Sequence, residues 1–247
     1  MKSCLIITAR SKSSRFKRKI LKNFDNKLKS IDILIGRAKK IKKPIIVAIS
    51  KDKSDNKLCE YIKKNHKVII FRGSLNNKLK RWHDCFKKFN INRAGIIDGD
   101  DILFDFKLYK RILEQKEQFE IKSNNKKMIT GLFTHVINIK VFKKIKNFYQ
   151  KYPNSEMIDK YLKLGKVKIK IAPLKKLYSE KKIRLTFDYV EDFKLLKILI
   201  DKFGHLEPSE IYIKYLIKEK KLAKINFFRE DFWRENQLKK INRSCNI

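Results

Sequence analysis

Glycine and proline are scarce in this chain, at 7 and 4 of 247 residues, and no internal repeat or low-complexity linker interrupts it. An unbroken chain of this length reads as one large α/β domain carrying an insertion, with ample residues to bury a core. Cysteine is equally sparse. Cys4, Cys59, Cys85 and Cys245 lie far apart, form no Cys-x-x-Cys pair and have no histidine at metal-ligand spacing. That pattern excludes a structural zinc site and leaves free thiols in a reducing compartment. The four histidines, His66, His83, His135 and His205, are scattered as well. Long apolar runs are missing, since Lys or Asp interrupts each one well short of the ~18 residues of a transmembrane helix. The apolar start leads into charge rather than a small-residue cleavage site, so it is no signal peptide. These absences predict a cytoplasmic protein without membrane insertion.

Acidic residues are outnumbered 26 to 63 by lysine and arginine, which gives a net charge of +37. Such a balance ordinarily suggests nucleic acid or an anionic membrane surface. The distribution argues otherwise. Lysine supplies 51 of the basic residues and arginine only 12, spread over nearly every segment, and isoleucine and asparagine are abundant too. This is the signature of codon bias toward Lys, Ile and Asn, with solvated lysines on helix faces. The 28 aromatics fall on core stripes and no nucleic-acid motif is visible, so no specific nucleic-acid partner is expected. A general attraction for phosphorylated ligands follows from the charge.

What is present is a recurrence of apolar runs with helical patterns between them, the mark of βαβ units and a mainly parallel sheet. The runs predict strands at 3–8, 44–49, 67–71 and 94–98, with helices at 29–42, 55–65, 76–89 and 105–118. In the third helix Leu79, Trp82, Phe86 and Phe89 recur at helical spacing and belong to the core rather than to a base-stacking platform. Segment 126–177 differs, with longer exposed strands at 128–139 and 166–172 and helices at 141–151 and 155–164 between them. A strand at 182–186, a helix over 189–203 ending before Gly204, and a Lys-rich helical tail from 209 complete the reading.

The first strand empties into Thr8-Ala9-Arg10-Ser11-Lys12-Ser13-Ser14-Arg15-Phe16-Lys17-Arg18-Lys19. Arginine forks, a lysine point charge and serine hydroxyls after a buried strand suit a polyphosphate cradle. Strand four ends in Ile97-Asp98-Gly99-Asp100-Asp101. Acids at the carboxyl end of a parallel strand are placed to hold a metal on phosphates, for which Mg²⁺ needs only one or two carboxylates. The same residues suit an Asp-rich turn that caps the next helix, a role open to Asp101 or Asp105. Asp188 stands at another strand end, and Asp188 with Glu191 has the spacing of a capping box, so metal binding and capping both remain open for it. Arg72-Gly73-Ser74 offers a strand-end turn with polar donors suited to a base or ribose.

Together these pieces resemble the cytidylyltransferase family that activates acidic sugars as CMP derivatives, most closely its SpsF-like, spore-coat polysaccharide branch. The family's opening pattern is met by Ala9-Arg10, Ser13-Ser14, Arg15 and Lys19. Its RGS turn and the following Arg-aromatic pair are met by Phe71-Arg72-Gly73-Ser74 and Arg81-Trp82. Its metal strand is met by Gly99-Asp100, and its late D-x-x-E-D by Asp188, Glu191 and Asp192. Where the family loop carries glycines and Leu-Pro-Gly before its lysine, this chain has Lys12 and Phe16-Lys17-Arg18, so side-chain charge stands where backbone approach is usual.

The resemblance implies a Rossmann-like, mainly parallel α/β sheet flanked by helices over 1–247, with 126–177 a sugar-binding and dimerisation insertion and 205–247 a helical tail. It implies transfer of CMP from CTP to a sugar with release of pyrophosphate, for surface polysaccharide synthesis, with Mg²⁺ as cofactor and a homodimer as the assembly. Arg10, Ser13, Ser14, Arg15, Lys19, Arg72, Gly73 and Ser74 would hold the nucleotide, Asp100 and Asp188 the metal, and Arg15, Lys19 and Asp100 would carry catalysis. Two rivals exist. A GT-A-type glycosyltransferase would also use Asp98-Gly99-Asp100, but it has no free triphosphate to occupy the opening loop. An RNA-binding module would use the charge and aromatics. A degenerate family member that keeps the fold without activity is the third reading.

Overall fold

The computed structural model describes residues 2–12, 15–16, 19–25, 27–152 and 158–242. Among them β1 (Ser3–Thr8), β2 (Ile45–Ser50), β3 (Ile69–Gly73), β4 (Arg93–Asp98), β5 (Ile121–Ser123), β6 (His135–Asn138) and β7 (Ile169–Ile171) form one sheet. Its order is β3-β2-β1-β4-β6-β5-β7. All neighbours are parallel except at β6, which runs antiparallel to both β4 and β5. Every residue of β2 is buried, as are five of six in β1. Helices cover both faces, so these strands read as unbroken apolar runs instead of alternating ones.

Alternate residues of β1 feed two cores. Leu5 and Ile7 face α1 (Ser30–Lys39), α4 (Phe106–Glu114) and α7 (Val190–Phe203), while Cys4 and Ile6 face α3 (Lys78–Lys88), α5 (Lys140–Lys151) and α6 (Ile158–Leu164). Each fully buried Ile or Leu contributes roughly 1.5–3 kcal/mol relative to exposure. Beside β2, α2 (Asn56–Asn65) follows the same pattern, and α8 (Ser209–Lys218), α9 (Lys220–Phe227) and α10 (Arg229–Asn242) end the described chain. No helix among the described residues is long and apolar enough to cross a membrane.

A guanidinium closes one end of this body. Arg37 of α1 is fully buried and donates to the carbonyls of Phe104 at 2.6 Å, His205 at 2.8 Å and Glu207 at 2.7 Å, and to the Ser209 hydroxyl at 2.9 Å. Burial pulls its pKa down to about 10.

The second half departs from the sequence expectation. The strand predicted over 128–139 exists only at β6. Before it the chain turns at Gly131, whose φ is +101° and whose Cβ would lie 2.5 Å from the Leu185 carbonyl carbon. The apolar Met128, Ile129, Leu132 and Phe133 are buried in that turn, not on an exposed strand. Short β5 was not anticipated, and the strand predicted at 182–186 is reduced to one bridge between Thr130 and Arg184. The helix predicted over 105–118 ends at Glu114 and is capped by Asp105, which accepts from the amides of Lys107 and Leu108. The helix predicted from 155 is described only from Ile158.

Candidate active site

Because β1 and β4 are parallel neighbours, with Thr8 beside Asp98, the loops leaving their carboxyl ends meet. They frame a cavity of about 550 Å³. Gly99 permits the approach: a Cβ there would stand 2.7 Å from the Thr8 carbonyl oxygen. Trp82 of α3 fixes that corner by donating its indole N–H to the Thr8 hydroxyl at 2.7 Å.

Arg10, Arg15, Lys19, Asp98, Asp100 and Asp188 all line this one cavity, although the sequence spreads them over most of its length. Lys19 is the hub. Its ammonium donates to Asp188 at 2.6 Å, to the Phe187 carbonyl at 2.8 Å and to Asp100 at 3.2 Å. Arg15 adds a 2.7 Å contact to the same oxygen of Asp188. Burial works against the charge of Arg15 and Lys19, and the facing carboxylates more than offset it, so both stay cationic. Burial likewise opposes ionisation of Asp100, but Lys19 and Lys78 outweigh it and hold its carboxyl down to about 2. Asp101 goes the other way. Burial, then the charges of Asp100 and Asp98, push its pKa well up, and the Thr134 hydroxyl donates to it at 3.1 Å.

Asp188 does not cap α7. The cap carboxylate is Asp192, which accepts from the amides of Asp188 at 2.7 Å and Tyr189 at 2.9 Å. Asp188 instead faces three cations, since Arg184 stands 3.5 Å from its second oxygen. Asp98, Asp100 and Asp101 bring carboxylate oxygens within 4.8 Å of one another, an all-oxygen donor set that suits a hard divalent cation. The Lys19 ammonium bridging Asp100 and Asp188 is a second indication of fit, because a cation already sits between those two carboxylates.

The opening loop is braced from its neighbour. Asp55 accepts from the amides of Ser11 at 2.6 Å and Ser50 at 3.1 Å, and from the Ser50 hydroxyl. Ser13 and Ser14 lie outside the described residues. The Arg72-Gly73-Ser74 stretch does not line the cavity, which is reached from that strand by Leu75 and Asn76. Arg72 is turned onto the carbonyls of Ser50 and Asp52 at 3.0 and 2.9 Å. Gly73 packs under the Arg81 side chain, and the Ser74 hydroxyl accepts from the Asn77 amide.

Several lining residues were given no ligand role from the sequence. Arg81, read there only as half of an Arg-aromatic pair, is 2% exposed, and its Nε has no hydrogen-bond partner among the described residues. Burial, with Arg10 nearby, brings its pKa to about 10. Arg81 donates to the Ser74 carbonyl at 3.1 Å and faces Asp55 and Asp98, and this guanidinium with that of the exposed Arg10 suits an anion. The far wall consists of Asn124, Asn125, Lys126, Thr134 and His135 around β5 and β6, and of Glu230, Trp233 and Arg234 on α10. The signal for α10 was the acidic and aromatic run Arg229-Glu230-Asp231-Phe232-Trp233 inside an otherwise Lys-rich tail.

A seven-stranded, mainly parallel sheet with its polar cavity at the ends of β1 and β4 has the architecture of the Rossmann-like nucleotidyltransferases. The chain belongs to the cytidylyltransferase family, whose sequence model matches residues 4–199, and is accordingly a nucleotidyltransferase. Among solved structures it is similar to a cytidylyltransferase from Leptospira borgpetersenii, with 24% identity and a TM-score of 0.78 over 90% of this chain and 97% of that one. It is also similar to a CMP:2-keto-3-deoxy-manno-octonic acid synthetase solved with CTP, at 12% identity and a TM-score of 0.57 over 82% and 99% of the two chains. A Mycobacterium tuberculosis protein solved with manganese gives 10% identity and a TM-score of 0.59 over 80% and 99%. No curated protein matches the sequence significantly.

Proposed function

We propose that this protein transfers CMP from CTP to a hydroxyl or anomeric oxygen of a sugar, an acidic sugar above all, and releases pyrophosphate. The observation that supports it most is the convergence of Arg10, Arg15 and Lys19 with Asp98, Asp100 and Asp188 on one cavity. Such a reaction needs positioning and charge neutralisation rather than a covalent nucleophile. Arg10, Arg15 and Lys19 grip the β- and γ-phosphates and stabilise the departing pyrophosphate. Arg81, buried in the wall with Arg10 nearby, adds to that grip. Arg72, Gly73 and Ser74 act through the wall they brace. Asp100 and Asp188, with Asp98 beside them, would hold a divalent cation, Mg²⁺ by its preference for carboxylate and phosphate oxygens. A cation bound there would neutralise phosphate charge and lower the pKa of the acceptor oxygen.

The order and spacing of the sequence motifs favour the SpsF-like branch and hence a cytoplasmic role in surface polysaccharide synthesis. Segment 126–177 is assigned to the acceptor and, through the exposed Ile169 and Ile171 of edge strand β7, to a homodimer contact. The test is pyrophosphate release from each of the four nucleoside triphosphates across a panel of 2-keto-3-deoxy sugar acids and neutral sugars. CTP-dependent release with a sugar acid is expected. Release with another triphosphate alone, or none with any acceptor, overturns the reading.

A further inference from the structure

The residues matched by the family model stop at 199, yet the cavity does not. Glu230, Trp233 and Arg234, all on α10, form part of its wall. The helix is tied there by charge. Glu230 is 5% exposed and accepts from the Arg184 guanidinium at 2.7 Å and from the Thr130 hydroxyl at 2.8 Å. Arg184, itself fully buried, also pairs with Asp192 at 3.0 Å. Outside that knot, Arg229 pairs with Glu191 at 2.8 Å.

The position of this anchor decides what α10 faces. Thr130 belongs to the turn before β6, on the opposite side of β4 from β1 and from the Arg10–Lys12 loop. Arg10 therefore stands at the β1 edge of the cavity and α10 over the β6 edge, the two meeting where Arg184 comes within 3.5 Å of Asp188. There the Trp233 ring lies across the Arg184 guanidinium at 5.7 Å, which fixes its plane. Arg234 reaches Glu230 through Nε at 3.2 Å while its side chain remains 62% exposed. An indole beside an exposed guanidinium, with Asn124 and Asn125 lining the same cavity, is chemistry for a polyhydroxylated ring bearing an anionic group.

We propose that α10 is the acceptor-selecting wall of the site, with Trp233 as the platform for the ring of the sugar and Arg234 as the partner of its anionic group. The proposal rests on the nucleotidyl-transfer reading above. Steady-state pyrophosphate release by the full-length protein, with CTP saturating and the acceptor varied, is measured for wild type, Trp233→Ala, Trp233→Phe and Arg234→Gln. CTP affinity is measured separately by calorimetry in the absence of acceptor. Trp233→Ala and Arg234→Gln are expected to raise acceptor KM about tenfold or more, with CTP affinity held within about twofold. Trp233→Phe keeps most of the acceptor affinity, and Arg234→Gln narrows the preference for a sugar acid over its neutral counterpart. Unchanged acceptor KM in both variants, or a matching loss of CTP affinity, overturns the proposal. Wild type that binds CTP but turns over no acceptor overturns the underlying reading and this inference together.

Discussion

Lys19 and Asp188, 169 residues apart in sequence, form a 2.6 Å ion pair across the floor of the cavity. Their side chains are 12% and 1% exposed, so the pair is poorly screened by solvent. The cation best placed to hold a triphosphate thus rests on a carboxylate best placed to hold a metal. On the proposed function, a nucleotide that takes up Lys19 would loosen its hold on Asp188.

The cradle assignment is checked by removing its cations one at a time. Arg15→Ala or Lys19→Ala should weaken CTP by about 10- to 100-fold, since each charge-assisted contact is worth roughly 1.5–3 kcal/mol. CMP, which lacks the outer phosphates, should bind almost as before. Equal losses for the two nucleotides in a calorimetric titration would remove Arg15 and Lys19 from the phosphate site.

At Asp188 the structure changes what a substitution means. Capping is the work of Asp192, so Asp188→Asn leaves the start of α7 intact but deprives Arg15, Lys19 and Arg184 of a shared counter-charge. Breaking such a buried network costs about 3 kcal/mol. We expect lost turnover at saturating Mg²⁺ together with a lower melting temperature, and no weakening of metal-free CTP binding, because Lys19 is freed. Wild-type pyrophosphate release from this variant would exclude Asp188 from catalysis.

Asp55 does not itself line the cavity, yet it holds the Ser11 amide from which the cradle departs. Asp55→Ala should raise KM for CTP several-fold and cost about 1–3 kcal/mol of stability, the penalty for leaving buried donors unsatisfied. A rise in KM without any change for CMP, measured below the melting temperature, separates loop positioning from general unfolding.

The stability of the protein should carry an imprint of His135. Burial lowers its imidazole from the ordinary 6.5 to about 4. Between those values the unfolded chain binds the extra proton and the folded one does not, so stability is complete above pH 6.5 and falls with pH through that window. The contribution lost by pH 4.5 is on the order of 2–3 kcal/mol. Urea unfolding of wild type and His135→Gln at pH 7 and pH 4.5 should show a smaller pH effect in the variant. Identical slopes would place the acid sensitivity elsewhere.

The first half of the fold was legible because its strands are buried on both faces and a capping carboxylate, Asp105, opens one of its helices. The opening loop and Asp98-Gly99-Asp100 were legible for a similar reason: clustered charge directly after a buried strand. The cap of α7 was not. Spacing permits Asp188 with Glu191 as readily as Asp192 with the two amides ahead of it, and the choice is made by Arg15 and Lys19, which arrive from the far end of the chain. Arg72 misled in the same way, since a strand-end arginine satisfies itself on the Ser50 and Asp52 carbonyls as well as on a ligand. The run from Met128 to Phe133 is apolar enough for a strand, and only the positive φ at Gly131 turns it aside. The place of α10 in the wall follows from Glu230 finding Arg184, and the acidic and aromatic run at 229–233 marks the helix without naming that partner.

The buried Arg37 guanidinium makes the start of the chain depend on its later part. It belongs to α1, near the start of the chain, but its acceptors at His205, Glu207 and Ser209 lie about 170 residues further on. Without residues 205–209, α1 would bury a charged group that keeps only the Leu103 and Phe104 carbonyls as acceptors. A fragment cut at residue 199, where the family match ends, would leave the group in that state permanently.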